Sequence, residues 1–174
     1  MAASVVPGRI TGSGTDHLTD FGVDAQYQFL GARDSFSVQG RFITENQNLG
    51  ASQSLGLSTN SHNHLRSWNV KATYYYNQTI GVTGGYFHLD GTSDPLLFGG
   101  VSANSSPRTN GWIAELNFIP FNYGGPSFWP WLNVKLGLQY VRYNKFNGGS
   151  VDFDGAGRNA ADNNTLLVYA WTAF

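Results

Sequence analysis

The last stretch of the chain, Asn163-Asn164-Thr165-Leu166-Leu167-Val168-Tyr169-Ala170-Trp171-Thr172-Ala173-Phe174, is apolar, rich in β-formers and ends on an aromatic residue. Soluble domains more often finish in a polar, frayed tail. A final strand that ends on Phe reads instead as the closing strand of a membrane barrel, with Phe174 as the signal presented to the barrel assembly machinery. Leu166, Val168, Ala170, Thr172 and Phe174 share one face of that strand, while Tyr169 and Trp171 fall on the other.

Upstream, the same period of two recurs six times. The segment Thr19 to Leu30 sets Phe21, Val23, Ala25, Tyr27 and Phe29 against Asp20, Gly22, Asp24, Gln26 and Gln28. Ser35 to Asn46 places Phe36, Val38, Gly40 and Phe42 on one face and Ser37, Gln39, Arg41 and Glu45 on the other, with apolar Ile43 among them. Leu65 to Tyr76 groups Trp68, Val70, Ala72, Tyr74 and Tyr76 against Asn69, Lys71, Thr73 and Tyr75. Thr79 to Leu89 carries Ile80, Val82, Gly84 and Tyr86 opposite Gly81, Thr83 and Gly85. Gly111 to Ile119 has Trp112, Ala114, Leu116 and Phe118 opposite Glu115 and Asn117, and Pro120 ends it. Trp131 to Tyr143 sets Leu132, Val134, Leu136, Leu138 and Tyr140 against Asn133, Lys135, Gly137 and Gln139.

No helix and no internal domain boundary is predicted, so the whole of 1–174 reads as one β-barrel domain. Residues 1–17, rich in Gly, Ser and Thr, read as a loop with a weak first strand near Val5 to Thr11. The expected fold is an all-β, antiparallel, up-and-down transmembrane barrel of about eight strands, seven of them clear.

Two regularities point to lipid. The links alternate between shorter turns, near Gly31, Asn77 and Tyr123, and long polar loops at 47–63, 90–110 and 144–162. Outer-membrane barrels show this asymmetry between periplasmic turns and outer loops. The apolar faces also carry aromatics at their ends. Phe21, Phe42, Trp68, Tyr86, Trp112 and Tyr140 lie on the long-loop side; Phe29, Phe36, Tyr74, Tyr76 and Phe118, with Trp131 nearby, lie on the turn side. Two such girdles around a band of Val, Ala, Leu and Gly match two membrane interfaces about 25 Å apart.

Composition agrees. Only 12% of residues are charged and 15% are aromatic, with 22 glycines. A net charge of −1 gives no reason to expect a nucleic-acid partner. The absence of Cys removes disulfides, thiol chemistry and haem attachment. No secretory leader is visible at Met1-Ala2-Ala3-Ser4, so the sequence reads as mature or truncated. A soluble β-barrel or sandwich that binds a small ligand inside is the alternative with the same alternation.

Several motifs add family information. Gly14-Thr15-Asp16, Phe21-Gly22-Val23-Asp24-Ala25-Gln26-Tyr27-Gln28-Phe29, Tyr74-Tyr75-Tyr76, Gly111-Trp112-Ile113-Ala114-Glu115 and Leu136-Gly137-Leu138-Gln139-Tyr140 are five of them. Tyr143-Asn144-Lys145-Phe146-Asn147-Gly148 and the run from Asp154 to Leu166 follow. Together they resemble the C-terminal part of a proteobacterial outer-membrane barrel family. Its members are often labelled cytochrome-associated although they lack haem motifs. The family is similar to the porin-like sheaths of electron-conduit complexes. The resemblance implies a barrel in the bacterial outer membrane, with a multihaem cytochrome, or another copy or chain, as partner. It brings no catalytic residues and no cofactor.

The polar face carries the remaining candidates: Asp24, Arg41, Lys71, Glu115 and Lys135, with Asp20 and Glu45. In a small closed barrel such charges pack as a plug; in a wider one they line a water-filled pore. Glu115 is expected to pair with Lys71 or Lys135. Asp152, Asp154 and Asp162 offer oxygens without the spacing of a calcium loop, and His17, His62, His64 and His88 read as solvated loop histidines. Neither a metal site nor an enzymatic activity is expected. Strand parity calls for an eighth strand, either Val5 to Thr11 or one further upstream, because bacterial barrels have even strand numbers.

Overall fold

The computed structural model describes residues 14–174 and, as backbone, 4–6 and 9–11. Seven strands form one antiparallel sheet in strict sequence order. They are β3 (His17–Leu30), β4 (Ser35–Asn48), β5 (His62–Tyr76), β6 (Ile80–Gly91), β7 (Thr109–Phe118), β8 (Asn133–Lys145) and β9 (Thr165–Ala173). Two three-residue strands, β1 (Ser4–Val6) and β2 (Arg9–Thr11), pair with each other rather than with this sheet.

The sheet is open. Among the described residues β3 pairs only with β4, and β9 only with β8. The expected closure of β9 against Val5 to Thr11 is therefore corrected. Those residues spend their ladder groups on one another, and positions 7 and 8 lie outside the described residues. The two open edges also run the same way, since strand direction alternates and an odd number of strands separates nothing but equals. Direct pairing of β3 with β9 would be parallel, the only parallel joint in the sheet.

Within the seven strands the register keeps together the residues that the sequence places on one face, while Leu132 and Phe174 lie just outside β8 and β9. Tyr27, Val38, Ala72, Gly84 and Ala114 meet through successive pairings, as do Tyr74, Val82, Leu116, Leu138 and Val168. A slip of one residue at any joint would have put an apolar row against a polar one. Tyr169 and Trp171, which fell off the apolar face of the last segment, lie opposite Gly137 and Lys135 on the polar face.

Most strands run two or three residues further than the apolar pattern. His17, Asn48 and His62 extend the ladder beyond Phe21, Phe42 and Trp68, so β3 to β5 reach 14 or 15 residues. The added length carries the sheet into a layer built from the long loops. The last strand stops at Ala173; Phe174 follows it, with its ring 6.0 Å from that of Trp129.

That loop layer holds the described hydrophobic residues that are buried: Leu49, Phe153 and Ala160. It also corrects the expectation of no helix. Helix α1 (Gly50–Ser54) and helix α2 (Pro95–Phe98) are single turns inside the loops. Asp94 caps α2 by accepting from the N–H groups of Leu96 and Leu97, and Pro95 opens the turn with its φ preset. No described helix is long and apolar enough to cross a membrane.

Candidate membrane-facing surface and polar inner face

Asp94 ties the loops together. Its carboxylate is fully buried and accepts from Ser58 Oγ at 2.6 Å, Thr59 N–H at 3.0 Å, Asn60 N–H at 3.2 Å and Asn63 Nδ2 at 3.1 Å. Burial opposes its charge, but these hydrogen bonds outweigh burial and hold the carboxyl well below the usual carboxylate range. The link continues across the layer: Ser102 Oγ donates to the Asn147 carbonyl at 2.7 Å, and Ala103 N–H to that of Phe153 at 2.7 Å. At the near edge, Asp16 accepts from the N–H groups of Ala51 and Ser52 and from the Ser52 hydroxyl, which lowers its pKa.

Below this layer the convex face of the sheet is apolar and uncovered. Val82, Leu116, Leu138 and Val168 form one cross-strand row, with Leu116 50% and Val168 74% exposed. On the loop side Trp68, Tyr86 and Trp112 pack in sequence, with ring centroids 5.2 and 4.7 Å apart, and His88 stacks on Trp68 at 5.7 Å. Phe21, Phe42 and Tyr140 continue this belt on β3, β4 and β8. On the turn side Phe29, Phe36 and Tyr74 form one row across β3 to β5, and Phe118 extends the belt on β7. Isolated exposed apolar residues are ordinary, whereas a contiguous face of this extent marks a surface that meets something other than water.

The polar face is concave. Asp24, Gln26, Gln39, Arg41, Asn69, Lys71, Phe87 and Ile113 line an open hollow of about 360 Å³, so β3 through β7 curl around a common space. Among the described residues Asp24, Arg41 and Lys71 make no ion pair. On the β7 to β9 side the face is filled instead. Glu115 accepts from Asn117 Nδ2 at 2.6 Å, Gln139 Nε2 at 2.7 Å and Tyr169 OH at 2.9 Å, and lies 4.0 Å from Lys135 Nζ. Of the two lysines expected as partners of Glu115, Lys135 is the one that reaches it.

Asn117, Gln139 and Tyr169 were not singled out as site residues, yet they complete this cluster. A legible signal was the glycine opposite Tyr169. A Cβ on Gly137 would lie 2.1 Å from the Tyr169 ring, so only glycine lets the ring lie flat across β8 towards Glu115. Gly81 accommodates the ring of Tyr75 in the same way.

The loop acids and histidines are engaged locally. Asp154 accepts from Ala156 and Arg158 N–H, Asp152 from Gly157 N–H, and Asp162 from Asn159 N–H. His64 Nδ1 lies 2.8 Å from Thr92 Oγ1, and His62 Nδ1 3.0 Å from Ser61 Oγ. Among the described residues no three His, Asp or Glu side chains converge as metal ligands.

No family model, no curated protein and no solved structure matches the chain.

Proposed function

We propose that this chain forms the wall of a transmembrane β-barrel in a bacterial outer membrane, and that it is a non-enzymatic, porin-like protein. The observation that carries the reading is the uncovered apolar convex face, banded by aromatic residues at two levels and backed by a polar concave face. In water that arrangement is inverted, since a soluble curled sheet turns its apolar side inward. In lipid it is the required one. The ladder groups on the outer edges of β3 and β9 need partners in a bilayer. Further strands, ascending beside each edge, satisfy both edges in antiparallel fashion. Asp24, Arg41 and Lys71, free of ion pairs among the described residues, then line a water-filled interior.

A second reading is a sheath around a partner such as a multihaem cytochrome. The open hollow on the concave face favours it, together with the family resemblance carried by the motifs from Gly14 to Leu166. Purification decides the membrane assignment. The protein is expected to remain monodisperse only in detergent or lipid; a stable, monodisperse sample in plain buffer contradicts it. Ion conductance across a planar bilayer separates an open pore from an occupied sheath.

A further inference from the structure

We propose that the convex rim on the loop side binds the phosphate groups of anionic lipids, through Arg66, Arg142 and Lys145. The inference rests on the convex face being the one that meets lipid.

The aromatic belt fixes the level. It steps down the pairing rows from strand to strand, as expected for strands tilted in a curled sheet. Phe42 pairs with Trp68, but Tyr86 pairs with Val70, and Tyr140 with Ala114. The next convex residue towards the loops is Thr44 on β4, Arg66 on β5, His88 on β6, Asn110 on β7 and Arg142 on β8. This set is wholly polar and contains no acid. A bulge adds to it. The β7–β8 register shifts between Asn110 and Gly111, so that Lys145 pairs with Asn110 and joins the convex face, which Tyr143 does not share.

Charge balance follows. Asp90 is the acid that the described strands place on this face, opposite Arg66. Its carboxylate is taken by Arg108 Nε at 2.8 Å. Among the described residues Arg66, Arg142 and Lys145 make no ion pair. On the turn side the nearest cation, Arg33, is neutralised by Asp34 at 3.0 Å. Among the described residues the two rims therefore differ: the loop side offers free cations just above the Trp68, Tyr86 and Trp112 rings, and the turn side does not.

Headgroup phosphates occupy that depth, one step beyond the aromatic belt. Guanidinium groups match phosphate oxygens with two parallel hydrogen bonds. Arg66 and Arg142 are three strands apart, and the register through Trp112, Tyr86 and Val70 offsets them by a further four residues along the strands, so they stand about 19 Å apart, a separation suited to two headgroups.

The test uses the full chain in a zwitterionic detergent with equal amounts of phosphatidylcholine and phosphatidylglycerol. Native mass spectrometry reads the ratio of bound lipids. The parent is expected to favour phosphatidylglycerol. R66Q/R142Q should lose that preference by about fivefold per arginine, as a cation near a charged headgroup is worth about 1 kcal/mol. R66K/R142K should keep most of it, and R33Q all of it. An unchanged ratio in R66Q/R142Q, an equal loss in R33Q, or full displacement of the lipid by excess inorganic phosphate would each overturn the proposal. Insertion into pure phosphatidylcholine vesicles is scored separately. Its failure would refute the membrane reading itself, whereas normal insertion without anionic preference would refute only the lipid site.

Discussion

Replacing Leu116 by Arg separates a lipid-facing sheet from a water-facing one. Leu116 lies on β7 one residue from the centre of the band between Trp112 and Phe118, with Val82 and Leu138 beside it in register. Its side chain is 50% exposed and meets no covering element. If water lies outside, Leu116→Arg removes an exposed apolar group and should change stability by no more than about 0.5 kcal/mol. If lipid lies outside, the guanidinium enters the hydrocarbon near mid-depth, at a cost of about 2–4 kcal/mol. That is a loss of roughly 30- to 900-fold in the folding equilibrium. The assay is denaturant unfolding in phosphatidylcholine vesicles, followed by tryptophan fluorescence, with Leu116→Ala as the size control. A change for Leu116→Arg no greater than that for Leu116→Ala would refute the assignment of the convex face.

Three more expectations follow from the geometry. Because the Asp94 carboxyl titrates below its usual range, its contribution is present above the unfolded pKa of about 4 and is lost as pH falls through the lower native value. Hydrogen exchange at Thr59, Asn60, Leu96 and Leu97 should accordingly stay slow at pH 5 and quicken only in stronger acid, and Asp94→Ala should quicken it at every pH, by about 3 kcal/mol of lost local stability. Gly137→Ala should cost about 1–3 kcal/mol in a melting or denaturant measurement, because its Cβ would displace the Tyr169 ring; Gly40→Ala, which meets no neighbour within 4 Å, should not. Cysteines at Val23 on β3 and Val168 on β9 should fail to form an intrachain disulfide in the folded protein, since direct contact there would require a parallel joint; efficient crosslinking would show that the sheet closes on itself.

The strands and their faces were legible because a period of two leaves little freedom once one face is apolar. Phe21 to Phe29 and Trp68 to Tyr76 each admit a single orientation, and pairing them fixes the register of Phe36 to Phe42 between them. The tight turn at Asn77-Gln78 was legible as well, and both residues adopt positive φ, 50° and 51°. The helix at Pro95 carried a local signal, an Asp before a Pro, that the loop reading passed over. Other features lie in contacts between distant residues. The N–H groups that open α1 are accepted by Asp16, some 35 positions away, and the carboxylate that caps α2 also holds Ser58 to Asn60. The Glu115 cluster joins three strands, so its choice of Lys135 over Lys71 depends on curvature rather than on spacing. Closure was read from the terminal strand and its Phe174, and the eighth strand from parity; the direction of the two open edges shows why β9 cannot meet β3 in antiparallel fashion.

The central claim, that the convex face meets lipid and the concave face does not, is tested most directly by a nitroxide scan along β7. The chain has no native Cys, so single cysteines at positions 112 to 118 can be labelled cleanly. In vesicles the labels at Trp112, Ala114, Leu116 and Phe118 should be accessible to oxygen and shielded from a water-soluble nickel chelate. Those at Ile113, Glu115 and Asn117 should show the reverse or be shielded from both. Nickel accessibility at Ala114 and Leu116, or loss of the two-residue alternation, would contradict the account.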